Sequence, residues 1–190
     1  PLETFKLIVD KCTDAGVVYF ELTPAIGEPF LDNGLFEKLD YLESNDKVDI
    51  FLVTTNLLKI TDEQIDKLLS YKKLLFAISV YGFDEESYRR NTGRDLFSVF
   101  MKNIKRLYSR LKYASGFHIE IAMRAGINYS EFPKDDLYYI LRLISLFPGA
   151  RIDNSEITNI NRGGTIKHGS TFSERAKEDV TRSGVCPHGP

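Results

Sequence analysis

Three short apolar runs, at 17–22 (VVYFEL), 49–55 (DIFLVTT) and 74–80 (LLFAISV), are each followed by turn residues and then by an apolar stripe at helical spacing. No other pattern in the chain limits its fold as tightly. A near-continuous apolar run of this length suits a strand covered on both faces. When strand and helix alternate in this way, successive strands lie parallel, because each helix carries the chain back along the sheet in a right-handed crossover.

The stripes are regular. Residues 2–15 carry Leu2, Phe5, Ile8, Val9, Cys12 and Ala15 on one face, and Gly16 closes that helix at its C′ position. Cys12 lies on the stripe and reads as a small buried hydrophobe rather than a reactive thiol. Leu35, Phe36, Leu39 and Leu42 repeat the spacing before Ser44-Asn45-Asp46 ends it. Thr61-Asp62-Glu63-Gln64 is a capping box opening a helix through Ile65, Leu68 and Leu69. Residues 84–88 form a short helix, and Asp95 caps another that runs through Phe97, Phe100, Met101, Ile104, Leu107 and Leu111. Pro133 occupies the first position of a helix over 134–147, which Pro148-Gly149 stops. A last, weaker strand spans 151–157. The order is one helix, four strand–helix repeats and a final strand, an α/β arrangement around a parallel sheet.

The fourth strand, 117–125 (FHIEIAMRA), differs by alternating, with His118, Glu120, Ala122 and Arg124 sharing one face. Two readings of that face stand: a solvated face near the sheet edge, or, in a curved sheet, the wall of a polar cavity.

Hydrophobic residues make up 43% and charged residues 27% of the 190, as in a folded domain with one core. A net charge of −2 and a pI of about 6.0 give no global attraction to nucleic acid or an anionic membrane. The longest apolar runs fall far short of the roughly 20 residues of a membrane helix, and no signal-peptide pattern stands at Pro1. Cys12 and Cys186 are too few for a disulfide framework and too far apart for metal-ligand spacing, so the expected compartment is a reducing cytosol. The chain opens inside a helical pattern and stops just after Cys186, and it reads as a fragment of something longer.

The first run leads through Thr23 to Gly27-Glu28-Pro29. Gly27 permits backbone angles that other residues resist, and Pro29 fixes its own φ and makes Glu28 extended. Polar residues also end the other runs: Thr54-Thr55-Asn56, Ser79, Arg124, and Asn154 with Asn159. In a parallel sheet or barrel all of these gather at the carboxyl rim, where α/β proteins bind ligands.

IGEP after the first run, FLVTTN on the second, FAISVYG with DEESYRRNTGRDLFSVFMKNIKRL on the third, and IAMRAG on the fourth resemble the central part of radical S-adenosylmethionine (radical SAM) enzymes. The resemblance covers residues 2–126 and continues more weakly to 161. It implies a partial (β/α)6 TIM-like barrel with a parallel sheet, its first strand missing here, over residues 1–160, followed by a loop-rich tail at 161–190. It implies two cofactors, S-adenosylmethionine and a 4Fe-4S cluster. The cluster thiolates would come from a CxxxCxxC loop expected before Pro1, so the cluster ligands lie outside this chain.

By the same resemblance, Gly27, Glu28 and Pro29 match the family's Gly-Gly-Glu-Pro motif, with Ile26 in place of the first Gly. The carbonyl edge of that motif would receive the methionine ammonium through charge-assisted hydrogen bonds. Ser79 falls where the family places a polar side chain toward the ribose or carboxylate. Arg124 matches a basic residue that pairs with the carboxylate. Thr55 and Asn56 are further cofactor-binding candidates without an assigned role. The implied activity is one-electron cleavage of S-adenosylmethionine to methionine and a 5′-deoxyadenosyl radical that takes hydrogen from substrate, and no acid–base catalyst is assigned. Implied partners are a peptide, protein or small-molecule substrate and a one-electron donor protein, with no membrane and no nucleic acid. Cys186, in Gly-Val-Cys-Pro, resembles the first cysteine of a SPASM-type extension, with residues 159–164 leading into it. It reads either as an auxiliary-cluster ligand or as a plain loop cysteine.

Two rival functions stay open: a non-catalytic binding scaffold of the same fold, and an unrelated phosphate-binding α/β-barrel enzyme. The second would use Arg89-Arg90-Asn91-Thr92-Gly93-Arg94, otherwise a solvated turn. His118, His168 and His188 lack partners at metal-ligand spacing.

Overall fold

The computed structural model describes residues 1–24, 27–111, 113, 117–124 and 127–153. In chain order the elements are α1 (Leu2–Asp14), β1 (Tyr19–Glu21), α2 (Leu35–Ser44), β2 (Ile50–Thr55), α3 (Asp62–Leu68) and β3 (Leu74–Val80). They continue with α4 (Glu85–Thr92), α5 (Phe97–Leu111), β4 (His118–Met123), α6 (Asp136–Ile144) and β5 (Ala150–Asp153). The strands pair in the order β1-β2-β3-β4-β5, all parallel. Strands adjacent in sequence are adjacent in space, and with right-handed crossovers such an order puts every helix on one face of the sheet.

That covered face is the core. Phe51, Val53, Phe76, Ile78, Val80, Ile119 and Ile121 are buried there with Leu39, Leu42, Ile65, Leu68, Phe100, Ile104, Leu107, Leu141 and Ile144 from the helix stripes. Each such side chain contributes roughly 1.5–3 kcal/mol by leaving water.

The strand register puts Tyr19, Glu21, Leu52, Thr54, Ala77, Ser79, Glu120, Ala122, Arg151 and Asp153 on the opposite face. Ala77, Ser79, Glu120 and Ala122 are buried on this face although the helices pack on the other, as the concave side of a curved sheet leaves them. The pKa of the Tyr19 phenol is raised, first by burial, with Glu21 and Glu120 adding to the rise and Arg151 opposing it. β4 lies inside the sheet between β3 and β5, and its alternating face is the one turned away from the helices. Glu120 is buried and ion-paired with Arg151, whose Nε lies 2.8 Å from Oε2.

Five boundaries differ from the sequence reading. The first strand is short and lies at the edge of the sheet formed by the described residues, where Val17, Val18 and Tyr19 are exposed at 41%, 44% and 44% instead of being covered on both sides. The short helix at 84–88 extends to Thr92, because Asp84 and Ser87 form a capping box at its start and Gly93, with φ +71°, ends it. The residue before α5 is Leu96, whose carbonyl accepts from the Phe100 amide, while Asp95 pairs with Arg89. Asp135, not the Pro133 turn, opens α6, its carboxylate accepting from the Tyr138 amide. The last strand is seen as Ala150–Asp153, and the rest of 151–157 lies outside the described residues. The Thr61–Gln64 capping box and the Leu74–Val80 strand match the sequence reading residue for residue. None of the described helices is long and apolar enough to cross a membrane.

Candidate functional site

The turn after β1 takes the form its residues dictate. Gly27 has φ +122°, and no atom lies within 4 Å of where its Cβ would be, so backbone conformation alone calls for glycine. Glu28 is extended, with φ −135° and ψ 127°, as the following proline requires, and Pro29 opens a 3-10 turn, Pro29–Leu31.

Glu28 is 8% exposed. The Thr55 hydroxyl donates to its Oε1, and the Asn56 amide donates to its Oε2 at 2.9 Å. Burial raises the Glu28 pKa, while hydrogen bonds from Thr55, Asn56 and the Phe30 amide oppose the rise. The carboxylate is thus engaged within the protein, stapling the Gly-Glu-Pro turn to the carboxyl end of β2. Thr55 lies on the helix-covered face, where its Oγ1 also accepts from the Leu57 amide at 2.9 Å. Asn56 accepts from the Leu58 amide at 3.0 Å through Oδ1.

Ser79 and Arg124 form a second group at the same rim. Ser79 is buried on the concave face at the end of β3. Arg124 follows β4, its amide donating to the Val80 carbonyl at 2.9 Å and its Nε to Ser79 Oγ at 3.1 Å. Among the described residues no ion pair includes Arg124, so the guanidinium keeps its charge uncompensated by a carboxylate. β2 and β3 are hydrogen-bonded neighbours, which puts the two groups side by side at the carboxyl ends of the strands. Next to them, Thr23 Oγ1 is buried with no hydrogen-bond partner among the described residues. A buried hydroxyl in that condition fits a site that a polar ligand completes.

Other candidates lie elsewhere. Arg89 and Arg90 occupy the last turn of α4, where free carbonyls and the negative end of the helix dipole face any ligand, a poor setting for phosphate. His118 begins β4, at the opposite end of the strands from the rim. Ile26, Asn154, Asn159, His168, Cys186 and His188 lie outside the described residues. Among the described residues no group of three or more His, Cys, Asp and Glu could hold a metal ion, and the one cysteine among them, Cys12, is on α1. The described residues therefore lack the clustered thiolates that a 4Fe-4S cluster needs.

The structure decides which threonine faces the rim and adds one residue that the sequence reading missed. Thr54, not Thr55, faces the concave side. Asn103 on α5 is 4% exposed and bonds the Leu57 carbonyl at 2.8 Å. Its signal in the sequence is a polar residue at a position of the apolar stripe of Phe100, Ile104 and Leu107.

Three solved structures of SuiB from Streptococcus suis share this fold. SuiB alone superposes with a TM-score of 0.62 at 19% identity, covering 95% of this chain and 40% of SuiB. SuiB bound to S-adenosylmethionine gives 0.60 at 18% identity, covering 95% and 40%. SuiB bound to its precursor peptide SuiA gives 0.60 at 18%, covering 95% and 38%. The chain thus spans about two fifths of the length of these proteins. No match was found among curated proteins. The model of the radical SAM superfamily matches residues 1–136, and with a five-stranded parallel sheet that fits the partial barrel of such enzymes, the chain belongs to the radical SAM superfamily.

Proposed function

We propose that this rim binds S-adenosylmethionine, and that the full-length protein uses it for hydrogen abstraction from a peptide or protein. The observation that carries the reading is Arg124, a guanidinium held at the rim by Ser79 with no carboxylate of its own among the described residues. A guanidinium so placed suits the methionine carboxylate, which it would bind through two parallel hydrogen bonds. The backbone around Gly27 would take the ammonium, and Thr23 Oγ1 is a spare polar group beside it. Glu28 would act through the turn it staples rather than by touching the cofactor.

When bound and reduced by one electron, S-adenosylmethionine supplies the hydrogen-abstracting chemistry. This chain's residues orient it and line the concave side beneath it with polar groups. Cluster ligands come, in this reading, from a CxxxCxxC segment of the full-length protein, and the electron from a donor protein in the cytosol. A peptide substrate is supported by SuiB, whose structure with the precursor peptide SuiA shares this fold. The barrel would occupy residues 1–160 and the tail 161–190, with Cys186 as an auxiliary-cluster ligand.

The test is anaerobic reconstitution of the full-length protein with iron and sulfide, followed by reduction. The expected result is binding of S-adenosylmethionine and release of 5′-deoxyadenosine and methionine. Arg124→Ala should weaken S-adenosylmethionine binding roughly 10- to 100-fold, the range of a lost hydrogen bond to a charged group. A cluster-loaded protein that ignores S-adenosylmethionine would favour the binding-scaffold alternative, and wild-type affinity in the variant would remove Arg124 from the site.

A further inference from the structure

We propose that Asn103, on the outer helix α5, is a positioning residue that holds the turn from Thr55 to Leu58 in the form competent for S-adenosylmethionine. The proposal rests on the reading of the rim given above. Leu57 is, among the described residues, the non-glycine residue with positive φ, at +61°, and it is fully buried. A leucine stays in the left-handed region only where its surroundings enforce it.

Here they do so from two sides. On the rim side, Glu28 takes the Thr55 hydroxyl and the Asn56 amide, and Thr55 Oγ1 takes the Leu57 amide. On the helix side, Asn103 Nδ2 donates to the Leu57 carbonyl at 2.8 Å and reaches the Leu58 carbonyl at 3.4 Å. Asn103 is itself oriented, since its Oδ1 accepts from Arg106 Nη1 at 2.8 Å. Arg106 in turn donates to the Ile60 carbonyl at 3.2 Å and pairs with Asp62, so the same helix anchors the start of α3.

The position argues for a purpose beyond packing. Asn103 sits on a buried helical stripe where an apolar side chain would avoid the desolvation of an amide. What the amide provides is a donor for two turn carbonyls. With Asn56 Oδ1 committed to the Leu58 amide, the Asn56 Nδ2 donors have no protein acceptor among the described residues and remain for a ligand at the rim. Without Asn103 the Leu57 carbonyl loses its partner and the residue relaxes out of the left-handed region. Cofactor would then bind only the fraction of molecules whose turn is still formed. A turn formed one time in ten binds with about tenfold lower apparent affinity.

The test uses the full-length, anaerobically reconstituted protein, with S-adenosylmethionine affinity measured by calorimetry in the wild type, Asn103→Ala, Asn103→Asp and Tyr71→Phe. Asn103→Asp keeps the size and the Arg106 contact but removes the donor. Tyr71→Phe deletes a hydrogen bond to Asp40 of 2.9 Å at the far end of the strands and controls for lost stability. Both Asn103 variants should bind about tenfold more weakly, Tyr71→Phe should bind as the wild type does, and all three should melt earlier. Should Asn103→Ala fail to fold, Asn103→Asp carries the test, together with hydrogen exchange at the Leu57 and Leu58 amides of cofactor-free protein, which should quicken. Wild-type affinity and protection in the Asn103 variants would overturn the proposal alone. A wild-type protein that binds no S-adenosylmethionine would overturn the rim reading and this proposal with it.

Discussion

Glu28 shows how one carboxylate can organise a rim without touching what the rim binds. Its two oxygens serve Thr55 and Asn56, residues 27 and 28 positions away, so the Gly-Glu-Pro turn and the end of β2 move as one piece. Glu28→Ala strands a buried hydroxyl and an amide, and should cost about 1–3 kcal/mol in denaturant unfolding. The same residue gives a pH dependence of known sign. Its folded pKa is raised above the ordinary value of 4.5, mainly by burial. Below 4.5 both folded and unfolded forms are protonated. Above it the unfolded chain ionises first, so the folded state binds more protons and stability falls until pH passes the raised folded value. Thermal midpoints of the wild type relative to Glu28→Gln should therefore decline as pH rises from about 4.5, then level off. A wild-type advantage that grew with pH would contradict the burial of this group.

At the scale of elements, the approach of α4 to the end of β3 depends on Gly82. A Cβ there would lie 2.3 Å from the Tyr88 backbone nitrogen and 2.6 Å from its Cα, distances no rotamer change relieves. Gly82→Ala must push α4 away from the rim, and with it Tyr88, whose hydroxyl pKa burial pushes up to about 12, with Tyr81 and Glu28 adding to the rise. The expected loss is at the upper end of the roughly 1–3 kcal/mol usual for overpacking, measured by urea unfolding. An alanine variant as stable as the wild type would mean that the chain crosses α4 at a greater distance. Local chemistry explains why most elements could be read directly. The Thr61–Gln64 capping box lies within one turn, and the α5 stripe needs only its own spacing. Where a boundary moved, as at Asp135, a capping carboxylate competed with a proline signal and won by supplying an acceptor to an orphan amide.

For the whole molecule, the helices pack on one face of the sheet, and among the described residues none covers the other. Phe76→Ala, on the helix-covered face at 0% exposure, should cost about 3–5 kcal/mol. Tyr19→Ser, on the edge strand at 44% exposure, should stay within about 0.5 kcal/mol. Comparable losses from the two in urea titrations would mean that β1 is covered. The contrast also explains the misjudged first strand. Val17 and Val18 have the composition of a covered strand, but cover is a property of neighbours, and among the described residues β1 pairs with a strand on one side only.

Strand and helix order, the parallel sheet, the Gly-Glu-Pro turn and the rim that gathers Glu28, Asn56, Ser79 and Arg124 follow from periodicity, turn chemistry and topology, all encoded within short windows. The burial of Glu120 against Arg151, the choice of Thr54 over Thr55 for the concave face, and the reach of Asn103 to Leu57 across 46 residues do not. Register, curvature and long-range hydrogen bonds depend on which surfaces meet after folding, and no local pattern carries that information.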